Sequence, residues 1–117
     1  MRFARFAAVA VLMTLTRCGG TRQVQVAVPT PANAQQVIIW DYKFEPRTLT
    51  VPVGTTVTWV NHDVAPHTAT HRSYGDEPFD TGHLPLNDKY SHRFQKPGTY
   101  DYLCMYHQGM TGTIIVK

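Results

Sequence analysis

Within the stretch Cys104-Met-Tyr-His107-Gln-Gly-Met110, a thiol, an imidazole and a thioether recur at three-residue intervals. On a helix such steps would line the three groups along one face. The flanks argue for a loop between two strands instead. Gly98-Thr-Tyr-Asp-Tyr-Leu103 before it and Gly112-Thr-Ile-Ile-Val-Lys117 after it are each opened by Gly and rich in aromatic or β-branched residues. A tight loop lets side chains converge on a point, which is what binding a metal ion requires. Thiolate, imidazole and thioether form a soft donor set suited to copper that cycles between its two oxidation states. A Cys and a His three apart also serve zinc sites and nucleophile–base pairs, so the copper reading needs another strong ligand elsewhere in the chain.

That ligand should stand at the end of a core strand facing the loop. Trp59-Val-Asn-His-Asp-Val-Ala-Pro-His67 offers it: a strand ends at Asn61, a loop passes through Asp63 and Pro66, and His67 stands at the loop's end. His62 lies between the strand end and Asp63 and reads as solvated. His71, four residues after His67, His83 in a Gly-Pro loop and His92 in a strand read as structural.

The elements that must position these groups are strands throughout from Gln36 onward. Val37–Tyr42 reads as the first. Thr48–Val53 alternates, with Leu49, Val51 and Val53 on one face, and Thr55–Val60 sets Val57 and Trp59 against Thr56 and Thr58. Further strands are expected at His67–His71, Tyr90–Phe94, Thr99–Leu103 and Thr113–Val116. Seven to eight short strands separated by turn signals predict an all-β sandwich. Trp40, Phe44, Trp59 and Phe94 are the expected core aromatics. No segment carries helical periodicity long enough to compete.

Four segments together resemble the cupredoxin family, most of all its amicyanin and plastocyanin-like branch. They are Phe44-x-Pro46; Leu49-x-Val51-x2-Gly54-x2-Val57-x-Trp59-x-Asn61-x-Asp63-x3-His67; Tyr90-Ser-His-x-Phe94; and Gly98-x-Tyr100-x-Tyr102-x-Cys104-x2-His107-x2-Met110-x-Gly112. The two-residue gap between His107 and Met110 matches the short amicyanin loop. The resemblance covers about residues 36 to 117. It implies a Greek-key β-sandwich with one type 1 copper ion ligated by His67, Cys104 and His107, with Met110 as the long, weak axial ligand. Asn61 matches the family residue that pins the ligand loop through hydrogen bonds.

The function this implies is electron carriage between redox protein partners, with no catalysis and no substrate pocket. Partners would dock transiently near His107, within a ring of Pro66, Met105, Tyr106 and Gly109, on a monomer. An envelope protein that stores or delivers copper is the alternative, although Met-rich and His-rich tracts are absent. A Cys-His catalyst would not need Met110 and His67. Multicopper oxidases and nitrite reductases share the fold but need further copper ligands and more chain. One departure concerns Tyr106, which stands where some short-loop relatives carry Pro; its backbone N–H is expected to donate to the Cys104 sulfur and favour Cu(I).

At 117 residues the chain has room for one modest core. The formal charge of +3 rests on Arg2, Arg5 and Arg17; beyond them Lys plus Arg equals Asp plus Glu, eight of each. The body is neutral and has no basic stripe with interleaved aromatics, so no nucleic-acid partner is expected. Residues 1–17 show a basic start and an apolar run of about ten residues, a secretory signal pattern too short for the roughly 20 residues that span a bilayer. Leu15-Thr-Arg-Cys18-Gly19 resembles a bacterial lipobox, which would make Cys18 the lipidated first residue of a membrane-anchored chain; Arg17 departs from the small residue usual there. Cleavage nearby, with Ala32-Asn-Ala34 as a small-x-small site, is the alternative. Residues 18–34 read as a flexible linker and 35–117 as the domain, in the periplasm or cell envelope.

Overall fold

The computed structural model describes residues 34–73 and 77–117; the expected export signal, Cys18 and nearly all of the linker lie outside the described residues. Among the described residues nine strands are formed: β1 (Ala34–Trp40), β2 (Lys43–Glu45), β3 (Thr48–Val51), β4 (Thr56–Asn61), β5 (Thr70–His71), β6 (Phe79–Asp80), β7 (Lys89–Arg93), β8 (Gly98–Leu103) and β9 (Thr111–Val116). They build two facing sheets, ordered β2-β1-β4-β7 and β3-β9-β8-β5-β6. The β1–β4 and β3–β9 pairings are parallel and the others antiparallel. The all-β sandwich read from the sequence is therefore the fold, with two strands, β2 and β6, that the sequence reading did not separate.

The core follows from the two-residue side-chain period. Along β4, Val57, Trp59 and Asn61 are buried while Thr56, Thr58 and Val60 are only partly so. Along β8, Tyr100 and Tyr102 point inward; along β9, Gly112, Ile114 and Val116 do. Trp59 sits at the centre, stacked on Phe79 at 4.9 Å and edge-on to Tyr102 at 5.6 Å. Phe44 and Phe94 are also buried, as expected. Trp40 is not: it is 59% exposed, because β1 turns Val37 and Ile39 inward and leaves the next position facing out. Val53 is likewise exposed, since β3 ends at Val51 and Pro52 breaks the alternation.

Three of these inward-facing rows end at the same end of the sandwich, one on the last residue of its strand and two just beyond theirs. Asn61 closes the β4 row, Cys104 extends the Tyr100–Tyr102 row of β8, and Met110 precedes Gly112 on the β9 row with the same parity. The strand period thus delivers an amide, a thiol and a thioether to one location before any loop geometry is considered.

Candidate metal centre

The loop joining β8 to β9 is closed by two backbone hydrogen bonds, Cys104 N–H to Met110 O at 3.0 Å and Met110 N–H to His107 O at 3.3 Å. Gly109 has φ +83°, a left-handed conformation that side chains disfavour, which lets the chain reverse within so few residues. Cys104 and Met110 are buried, Cys104 is a free thiol, and His107 is half-buried.

Across from this loop, His67 is fully buried, although it is not part of a strand as expected. A single two-bond bridge to Leu84 holds it, and regular pairing begins only at Thr70. Asn61 fixes the approach to it. Its side-chain N–H groups donate to Ala65 O and Leu84 O, both at 2.9 Å, and its Oδ1 accepts from Asp63 N–H at 2.8 Å. The amide is buried, so the three bonds are what make its position tolerable.

These elements bring three donor atoms together. Cys104 Sγ lies 3.4 Å from His107 Nδ1 and 3.8 Å from His67 Nδ1, and the three atoms all fall within 4.8 Å of one another. Among the described residues this is the one cluster of three or more His, Cys, Asp or Glu side chains so arranged. Met110 is buried, and its backbone carbonyl is bonded to the Cys104 N–H at the base of the same loop.

Residues that sequence reasoning gave no role complete the arrangement. Asp63 is the busiest: its carboxylate accepts from Asp41 N–H at 2.8 Å, Tyr42 N–H at 2.9 Å and His67 Nε2 at 2.9 Å. Burial alone would raise its pKa, but these donors outweigh it and hold the carboxyl below its ordinary value. A carboxylate can only accept, so His67 carries its proton on Nε2 and leaves the Nδ1 lone pair facing the sulfur. Burial, together with the nearby His107, also keeps the His67 pKa below its ordinary value despite Asp63, so the ring is neutral at pH 7. Asp41 and Tyr42 form the two-residue turn between β1 and β2, with φ of 51° and 57°. The turn sets the Tyr42 ring edge-on to both imidazoles, 5.4 Å from His67 and 4.9 Å from His107.

Thr68 acts on the thiol side. Its N–H points at Cys104 Sγ at 3.4 Å and its hydroxyl accepts from Met105 N–H at 2.8 Å. Among the described hydrogen bonds the backbone donor to the sulfur is therefore Thr68, not Tyr106 as expected. The Tyr106 side chain instead turns outward, its hydroxyl 3.1 Å from His83 Nδ1. The signal for Thr68 was its place directly after His67; for Asp63 it was the four-residue spacing to the same histidine.

The other histidines stand apart from this centre. His71 pairs with Asp101 O through Nδ1, His92 lies 3.6 Å from Glu77, and His62 is exposed.

A buried thiol flanked by two imidazole nitrogens, with a buried thioether on the same loop, is the donor chemistry of a copper site in a β-sandwich. The chain belongs to the copper-binding protein family of plastocyanin and azurin, whose model matches residues 33–117. It is 30% identical to amicyanin-alpha of Methylorubrum extorquens over the full length of both chains. A solved structure of a reduced amicyanin variant is 35% identical, with a TM-score of 0.67 over 72% of this chain and 82% of that one. The copper-containing nitrite reductase of Thermus scotoductus is 37% identical with a TM-score of 0.68, but the match spans 72% of this chain and only 22% of the reductase.

Proposed function

We propose that the chain is an exported blue copper protein that carries single electrons between redox partners, with copper held by His67, Cys104, His107 and Met110. The observation that carries this reading is the mutual approach of His67 Nδ1, Cys104 Sγ and His107 Nδ1 within 4.8 Å. Bound there, copper would supply reversible one-electron exchange between Cu(I) and Cu(II).

The chain's own part is to hold the donors still and to expose one of them. Asp63 and the Leu84 bridge lock the His67 ring from behind, and the Thr68 N–H stabilises negative charge on the Cys104 sulfur. Because Cys104 directly follows β8, Met110 directly precedes β9 and His67 is bridged to Leu84, the packed sandwich resists their displacement when the charge at the centre changes. His107 is the half-buried member; Met105, Tyr106 and Gly109 of its loop are exposed, and Pro66, next to His67 in the chain, is half-buried. That ring, widened by Tyr42, is the proposed docking face for transient redox partners. On this reading residues 1–17 direct export, 18–34 tether, 35–117 form the carrier, and Cys18 is the candidate lipid attachment point in the periplasm or envelope. The carrier acts as a monomer and catalyses no reaction of its own.

The test is optical and magnetic. Residues 35–117 loaded with Cu(II) should show an intense blue band and narrow copper hyperfine splitting, both lost in Cys104→Ser, together with fast self-exchange between oxidised and reduced protein. A pale complex with wide splitting, unchanged by the substitution, would overturn the ligand assignment. A blue protein with slow self-exchange would overturn the carrier role.

A further inference from the structure

A second feature lies on the outer face of the β3-β9-β8-β5-β6 sheet, beside the thiol-bearing end of β8. An open groove of about 430 Å3 runs there, with Leu103 and Met105, which flank Cys104 in sequence, among its apolar lining. Both are large apolar side chains left in the open, Leu103 44% and Met105 50% exposed. Two guanidinium groups line its opposite sides. Arg47 immediately precedes β3 and Arg72 immediately follows β5, so the strand order puts them on opposite sides of the β9–β8 pair. Three inter-strand spacings separate β3 from β5, about 14 Å.

Neither guanidinium is fully committed. Arg47 donates to the neutral hydroxyl of Thr111 at 3.1 Å, and exposed Arg72 reaches Asp80 only at 3.9 Å, the outer edge of an ion pair. Among the described residues the one carboxylate lining the groove, Asp101, is tied down by the Thr113 hydroxyl at 2.6 Å. A partner's carboxylates are therefore favoured at the two sides and disfavoured between them, where an apolar side chain fits Leu103 and Met105.

We infer that this groove docks an acidic polypeptide segment of a redox partner, presenting carboxylates at both Arg47 and Arg72 and an apolar side chain to Leu103. An extended chain rises about 3.3 Å per residue, so carboxylates four positions apart span about 13 Å and match the two sides. The inference rests on the electron-carrier reading, because it gives a partner a seat one residue from Cys104 that meets the His107 ring only at Met105.

The experiment uses the copper-loaded, reduced protein, whose blue colour on oxidation checks the metal site independently. A capped Glu-Thr-Leu-Thr-Glu peptide is titrated while backbone amide resonances are followed. Saturable shifts are expected at Thr70, Leu103, Thr111 and Thr113, weakening by about tenfold in affinity in Arg47→Glu/Arg72→Glu and on replacing both peptide Glu by Gln. The variant should stay blue, showing that it is folded. Shifts confined to the His107 ring, shifts that survive charge reversal, or no saturable shifts would each overturn the docking inference while leaving the copper reading standing. Loss of the blue colour in the wild-type protein would instead sink the copper reading, whatever the peptide does.

Discussion

At the scale of single residues, the centre depends on side chains that hold its donors as much as on the donors. Asp63 joins three parts of the fold: the Asp41–Tyr42 turn, the Asn61 strand end and the His67 ring. Replacing it with Asn keeps the shape but sets an amide N–H2 against groups that are themselves donors. Asp63→Asn should destabilise the metal-free protein by about 2 kcal/mol in urea unfolding. An unchanged midpoint would show that the β1–β2 turn holds itself. Tyr102 allows a pH test. Burial pushes its phenol from 10.0 up to about 12, with the Trp59 indole offsetting slightly. The folded value is raised, so the unfolded chain ionises first: the contribution is whole below pH 10 and declines as pH rises from 10 to 12, by at most about 3 kcal/mol. Wild type should lose stability over that range relative to Tyr102→Phe; parallel curves would refute the burial argument.

At the scale of elements, the period of two explains both what was legible and what was not. The alternation in β4 and β8 was plain in Val57-x-Trp59 and Tyr100-x-Tyr102, and continuing those rows by one step reaches Asn61 and Cys104. Trp40 was misread because bulk suggested burial, whereas parity along β1 sends it outward. The β8–β9 pair also depends on a position without a side chain. A Cβ at Gly112 would collide with Cζ and Oη of Tyr102 on the facing strand. Gly112→Ala should cost about 1–3 kcal/mol, because that ring is wedged between Phe44 and Trp59 and has no room to retreat. A wild-type unfolding midpoint in Gly112→Ala would mean that the sheet can shift to absorb a methyl group.

At the scale of the whole molecule, the core lies between the sheets and the donor cluster at one end of them. Val37, Ile39, Val57, Trp59, Phe94 and Ile114 are fully buried without help from the centre. Removing the metal should therefore leave the far-ultraviolet circular dichroism and a cooperative unfolding transition intact. The loaded protein should unfold at higher urea, since a ligand bound only by the native state adds roughly 4 kcal/mol at a thousandfold excess over its dissociation constant. A metal-free chain without a cooperative transition would show that the centre organises the sandwich rather than the reverse.

The sequence alone determined the fold class, the donor types and their loop, because strand alternation and the Cys104–His107–Met110 spacing are local properties. It also placed His67 and Asn61, through a motif whose meaning depends only on order along the chain. Tertiary structure alone decided the rest. It brought Asp63 behind His67 and under the Asp41–Tyr42 turn, put the Thr68 N–H rather than that of Tyr106 on the sulfur, and set Arg47 and Arg72 on either side of the β9–β8 pair. Each of these joins residues from different strands or loops, and sheet order and register, which local pattern does not specify, determine which of them meet.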